Sequence, residues 1–124
     1  MLKVAGREAE GYLRVEDIEK FPCTDFRTID TLWVKYSKGS FGFSVQKRIW
    51  ESVGGTPFVD YETYCRFCDR IKWRVNNDWL DYEQLTFSLE KAPEGHLPFC
   101  EDVFWYDWVF WLWGLFSRAE TCKL

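Results

Sequence analysis

Side chains able to do covalent or acid–base chemistry are few in this chain. One histidine, His96, stands in Gly95-His96-Leu97-Pro98, and any Ser/His/Asp or Cys/His system has to use it. No nucleophile elbow and no glycine-rich phosphate cradle surrounds it. The plainer role is to fasten a connector through hydrogen bonds of its two ring nitrogens. Cys65-x-x-Cys68 has metal-ligand spacing, but zinc wants four ligands and no second cysteine or histidine pair accompanies it. In the surrounding YETYCRFCDRI, Tyr61, Tyr64, Cys65, Phe67, Cys68 and Ile71 share an apolar stripe, so the cysteines read as small buried residues of a helix. Asp60, Asp69, Asp78 and Asp81 fall at expected caps and turns, without the paired spacing of a general acid and base. Catalytic and metal residues are therefore assigned to none, and the chain reads as a non-enzyme.

A second kind of chemistry, binding by flat aromatic surfaces and cations, is better supplied. Eight Trp, six Tyr and eleven Phe make 20% of the 124 residues, a rigid surface that has to become core, ligand cup or membrane contact. From Thr31 to Trp50 the chain holds Lys35, Lys38, Lys47 and Arg48 and no acidic residue, interleaved with Trp33, Tyr36, Phe41, Phe43 and Trp50. That window carries +4 within a chain of net charge -4, leaving -8 for the rest, a balance that argues against nucleic acid as a partner. The window suits either a solvated basic face beside core aromatics or a site for an anionic ring system. Five cysteines, an odd number without a secretory signal pattern, lead us to expect reduced thiols.

The elements that must position these groups are mainly helical. Leu2 to Glu10 reads as a helical fragment, and Val15 to Lys20 as one or two turns ended by Pro22. Thr24 or Asp25 caps a helix through Tyr36, in which Phe26, Ile29, Trp33 and Tyr36 recur at spacings of three and four, with Gly39 just past its end. Ser44 starts another, turning Val45, Ile49, Trp50 and Val53 inward and stopping at Gly54-Gly55. Asp60 caps the cysteine helix to Arg70. Asn76-Asn77 marks a turn, Leu85, Phe87 and Leu89 alternate briefly, and 92–98 forms an irregular connector. Val103 to Phe116 is strongly apolar but broken by Asp107 and Gly114, and too short for the ~20 residues of a membrane-spanning helix. It reads as a core or lid helix, or as an interfacial contact.

The strings themselves are more specific than any of these patterns. Phe21-Pro-Cys-Thr-Asp-Phe-Arg-Thr-Ile-Asp-Thr-Leu-Trp33, continuing through Gly39-Ser-Phe-Gly-Phe43-Ser-Val-Gln46 to Ile49-Trp50, resembles the signature of the genomes-uncoupled-four family, tetrapyrrole-binding regulators of magnesium chelatase in oxygenic phototrophs. Trp73-Arg74, Trp79, Phe87-Ser-Leu89, Ala92-Pro93 and Gly95-His96-Leu97-Pro98 resemble its later block, in the same order. The resemblance covers Met1 to Pro98 and implies a single compact all-α domain with a cupped face. It divides the chain into a tetrapyrrole-binding core over 1–98, which reads as lacking the family's first helices, and a Trp-rich lid or docking helix over 99–124.

The resemblance further implies that protoporphyrin IX or Mg-protoporphyrin IX is bound as ligand, with no metal ion of the protein's own, and that magnesium chelatase is stimulated through its large porphyrin-binding subunit. Its setting would be the cyanobacterial cytoplasm or the chloroplast stroma, with peripheral contact to a thylakoid or envelope membrane. Such a ligand needs apolar walls and cations for two propionates. Trp33, Phe41, Phe43 and Phe87 are the expected walls, and Lys38, Lys47, Arg48 and Arg118 the candidate cations. Thr24, Asp25, Thr28 and Asp30 read as capping and turn-fixing residues. A module of the same fold that has lost pigment binding and docks a protein through its C-terminal helix is the alternative.

Overall fold

In a computed structural model the structure describes residues 6, 9, 15–55, 60–98 and 108–124. The helical reading of Leu2 to Glu10 and the start of the Trp-rich segment lie outside the described residues. Helix α1, Val15–Glu19, is short because Pro22 follows, and the Phe21 amide closes it on the Ile18 carbonyl at 3.1 Å. Helix α2, Cys23–Tyr36, begins directly after Pro22 with no side-chain cap. Thr24 and Asp25, expected as caps, lie instead in its first turn, where Asp25 suits the positive end of the helix dipole. It stops where Lys38 and Gly39 turn left-handed (φ 55° and 85°), the Gly39 amide reaching back to the Val34 carbonyl at 2.9 Å.

Helix α3, Phe43–Ser52, starts at Gly42 with φ 131°. A Cβ there would meet Asp30 Oδ1 at 2.8 Å and Val34 Cγ2 at 2.9 Å, so a glycine lets α3 approach α2. The reward is a cap from a neighbouring helix: buried Asp30 accepts the Ser44 amide at 2.9 Å. Helix α4, Tyr61–Arg70, carries the expected Asp60 cap, which accepts the Thr63 amide at 2.8 Å and the Thr63 hydroxyl at 2.9 Å. The backbone bond first, then the hydroxyl, hold the Asp60 carboxyl below the usual range.

A small ribbon follows: β1 (Arg74–Val75) pairs antiparallel with β2 (Asp78–Trp79), Arg74 opposite Trp79 and Val75 opposite Asp78. Its turn is Asn76-Asn77, both at positive φ (54° and 68°), the conformation a two-residue hairpin demands. A 3₁₀ turn at Tyr82–Gln84 leads into a connector over 85–98, and helix α5, Trp108–Thr121, ends the chain. The all-α expectation thus holds, with this ribbon as its single addition among the described residues.

The core is an aromatic box. Trp50, Phe67 and Phe116 meet pairwise at centroid distances of 5.6 to 6.0 Å, Trp73 joins Phe67 at 6.0 Å, and Phe26 joins Phe43 at 5.1 Å. Phe116 is brought there by α5, which packs on α1 and α3 and buries Leu115, Phe116 and Ala119. Two further ties hold that helix: Arg118 Nε donates to the Phe21 carbonyl at 2.8 Å, and Cys23 is disulfide-bonded to Cys122, 99 residues away. The expectation of reduced thiols is corrected for this pair. An odd total says nothing about one bridge, and the packing of α5 on α1, which ends four residues before Cys23, brings the two together. Cys65 and Cys68 are buried free thiols, and burial pushes the Cys68 thiol far above its ordinary range.

Candidate functional site

The two faces of α2 have different fates. Phe26 and Asp30 are buried, whereas Ile29, Leu32, Trp33 and Tyr36, also at spacings of three and four, line a cavity of about 420 Å³. Ser37 and Phe41 close one end, and Phe87, Leu89 and Leu97 from the connector form the facing wall. Trp33 meets Phe41 edge-on at 6.4 Å. Leu32, Tyr36, Phe87 and Leu89 are exposed, so this is an open apolar cup with an exposed rim, the kind of surface that marks a ligand or partner site.

The irregular wall is held by backbone-directed hydrogen bonds. The Ser37 hydroxyl accepts the Phe41 amide at 2.8 Å, and the Gly42 amide donates to the Leu97 carbonyl at 3.1 Å. Gln46, buried on α3, donates through Nε2 to the carbonyls of Gly95 (3.0 Å) and Pro98 (2.8 Å). The Trp73 indole donates to the His96 carbonyl at 2.7 Å. His96 is itself 2% exposed, with Nδ1 2.7 Å from the Ile71 carbonyl and Nε2 accepting the Thr86 amide at 3.1 Å. The fastening role expected of this histidine is the one it has, and both its nitrogens are used.

Of the residues singled out by sequence, Trp33, Phe41 and Phe87 line the cup. Phe43 is core, packed on Phe26, and is not among the lining residues. None of the four candidate cations is among the lining residues. Lys38 is exposed on the turn after α2, Lys47 pairs with Glu51 along α3 at 3.1 Å, Arg48 is exposed on α3, and Arg118 bonds the Phe21 carbonyl. Sequence reasoning passed over Ile29, Leu32, Tyr36, Leu89 and Leu97 as lining residues. It also passed over Lys35, whose Nζ lies 5.8 Å from the centroid of the Tyr36 ring at the rim. The spacing of Ile29, Trp33 and Tyr36 was visible, but a stripe facing a cup and a stripe facing the core have the same period. Among the described residues no group of three or more His, Cys, Asp or Glu is placed to hold a metal ion, and no helix is long and apolar enough to cross a membrane.

Comparison with known proteins places this geometry. The family model described as GUN4-like matches residues 1–112, past Pro98 and into the Trp-rich segment that the sequence strings left unassigned. The Ycf53-like protein of Synechocystis is 36% identical over 94 residues, 75% of this chain and 37% of that protein. The chloroplastic tetrapyrrole-binding protein of Arabidopsis thaliana is 29% identical over 109 residues, 79% of this chain and 38% of that protein. The chain thus spans well under half the length of these curated relatives. Two solved structures share the fold at 24% identity. The ligand-free structure of Arabidopsis thaliana GUN4 matches with a TM-score of 0.73 over 94% of this chain and 77% of that one. That of GUN4 from Chlamydomonas reinhardtii matches with a TM-score of 0.72 over 96% and 72%.

Proposed function

The chain belongs to the GUN4-like family, and from that premise we propose that it binds a tetrapyrrole, protoporphyrin IX or its magnesium complex, in the cup between α2 and the 85–98 connector. The observation that carries this reading is the cup itself, an open cavity of about 420 Å³ walled by Trp33, Phe41 and Phe87, with apolar side chains left exposed at its rim. A flat aromatic disc gains from such walls through burial of both its faces, at about 25 cal/mol per Å² before the cost of association. Lys35 and Lys38 supply positive charge at the Tyr36 end, where propionates can remain in water and still meet an ammonium group. Lys47 and Arg118, being engaged elsewhere, are weaker partners for a carboxylate.

The name of the Arabidopsis relative supports the ligand class. Stimulation of magnesium chelatase through its large porphyrin-binding subunit, without catalysis by this chain, completes the proposal. A cyanobacterial cytoplasm or chloroplast stroma suits it, given relatives from Synechocystis and a chloroplast. Titration of the purified protein with deuteroporphyrin IX is the test: saturable quenching of tryptophan fluorescence with a red-shifted Soret band is expected. A folded protein that shows no saturable change refutes the ligand. Unchanged magnesium insertion when the protein is added to the chelatase refutes the partner.

A further inference from the structure

We infer that His96 is a positioning residue for the cup, holding the Phe87 wall in place only while its imidazole is neutral; the inference rests on the tetrapyrrole reading above. The Ile71 carbonyl can only accept, so Nδ1 carries the proton and donates to it at 2.7 Å; the Thr86 amide can only donate, so Nε2 is bare and accepts it at 3.1 Å. Two backbone groups therefore specify one tautomer. Thr86 directly precedes Phe87, which lines the cup and is 55% exposed. A proton added at Nε2 would face the Thr86 N–H with a second N–H, and that bond would be lost. The backbone leading to Phe87 then loses its anchor to the buried part of the connector.

No neighbouring charge is hydrogen-bonded or ion-paired to the ring among the described residues. On the neighbouring elements, Lys47 and Glu51 on α3 pair with each other, and Asp69 in the last turn of α4 pairs with Arg74 on β1. Lys72, Glu83, Glu90, Lys91 and Glu94 are exposed, and the Cys68 thiol is held protonated by burial. The switch is therefore a proton on the imidazole itself and not on a neighbouring group.

The test compares wild type, His96→Gln and His96→Leu by deuteroporphyrin titration from neutral to acidic pH, with folding checked by circular dichroism. Glutamine can still accept the Thr86 amide and does not titrate; leucine leaves the amide without a partner. Wild-type affinity is expected to fall on acidification by more than that of His96→Gln, the difference cancelling titration of the porphyrin's own carboxylates. His96→Leu should bind about tenfold more weakly at neutral pH, the scale of one lost buried hydrogen bond. In a Phe87→Ala background the same substitution should cost little, because both changes remove one wall. Equal pH profiles for wild type and His96→Gln, or additive effects with Phe87→Ala, overturn the inference while leaving tetrapyrrole binding intact. Absence of saturable binding by the wild type fails the ligand reading and the inference together. Two-bond nitrogen–proton correlation in the ligand-free protein reads the tautomer directly, and an Nε2–H form overturns the assignment whatever the ligand.

Discussion

Single residues in this chain act mostly by satisfying backbone groups. Asp60 and Asp30 both cap helices and both were read as capping residues, but only for Asp60 was the capped helix legible, since Asp60 precedes its helix and Asp30 reaches α3 from fourteen residues away on α2. Asp30→Ala removes the Ser44 cap from a buried position, and a loss of about 1 to 2 kcal/mol in chemical denaturation is expected; an unchanged midpoint would show the cap to be dispensable. Asp60 also gives a pH dependence whose sign is fixed. Its carboxyl titrates lower in the folded chain than in the unfolded one, so its contribution is present above the unfolded carboxylate value and disappears as pH falls through the folded one. Asp60→Asn should flatten the acid limb of the stability curve, and a limb identical to wild type would assign that limb to other carboxylates. The Cys68 thiol, pushed up by burial, should resist iodoacetamide in the native protein and react once unfolded, with mass spectrometry following the adduct.

Helices α2, α3 and α4 were legible at the scale of elements because proline, glycine and aspartate mark their ends. The ribbon was legible only as its Asn76-Asn77 turn, since two residues per strand give alternation nothing to repeat. Of the connector, 92–98 was read as irregular and is so, while its order comes from Gln46, Trp73 and His96, whose partners lie 10 to 52 residues away. Gly95 shows how tightly it is seated. Its φ is 80°, and a Cβ would come 2.5 Å from Ile49 Cδ1 and 2.9 Å from Ile71 Cγ2. Gly95→Ala should therefore destabilise by about 1 to 3 kcal/mol, the range for strained backbone or overpacking. It should also weaken deuteroporphyrin binding, because the same segment carries the cup wall; a stable variant with intact binding would contradict that coupling.

For the molecule as a whole, the cysteine bridge was hidden in the sequence because counting cysteines cannot reveal which helices will touch. Closing a loop of 99 residues restricts the unfolded chain by about 4 to 5 kcal/mol in the chain-entropy picture, and real bridges return less. Cys122→Ser should melt lower than the oxidised wild type and coincide with wild type under reductant; a melt matching the oxidised form would show that α5 is held by packing and Arg118 alone. The bridge also makes nearly the whole polypeptide a covalent circuit, from the first residue of α2 to the last turn of the chain. One peptide bond cut anywhere inside that circuit divides the sequence without dividing the molecule, so a nicked protein would migrate as one species until its sulfurs were reduced.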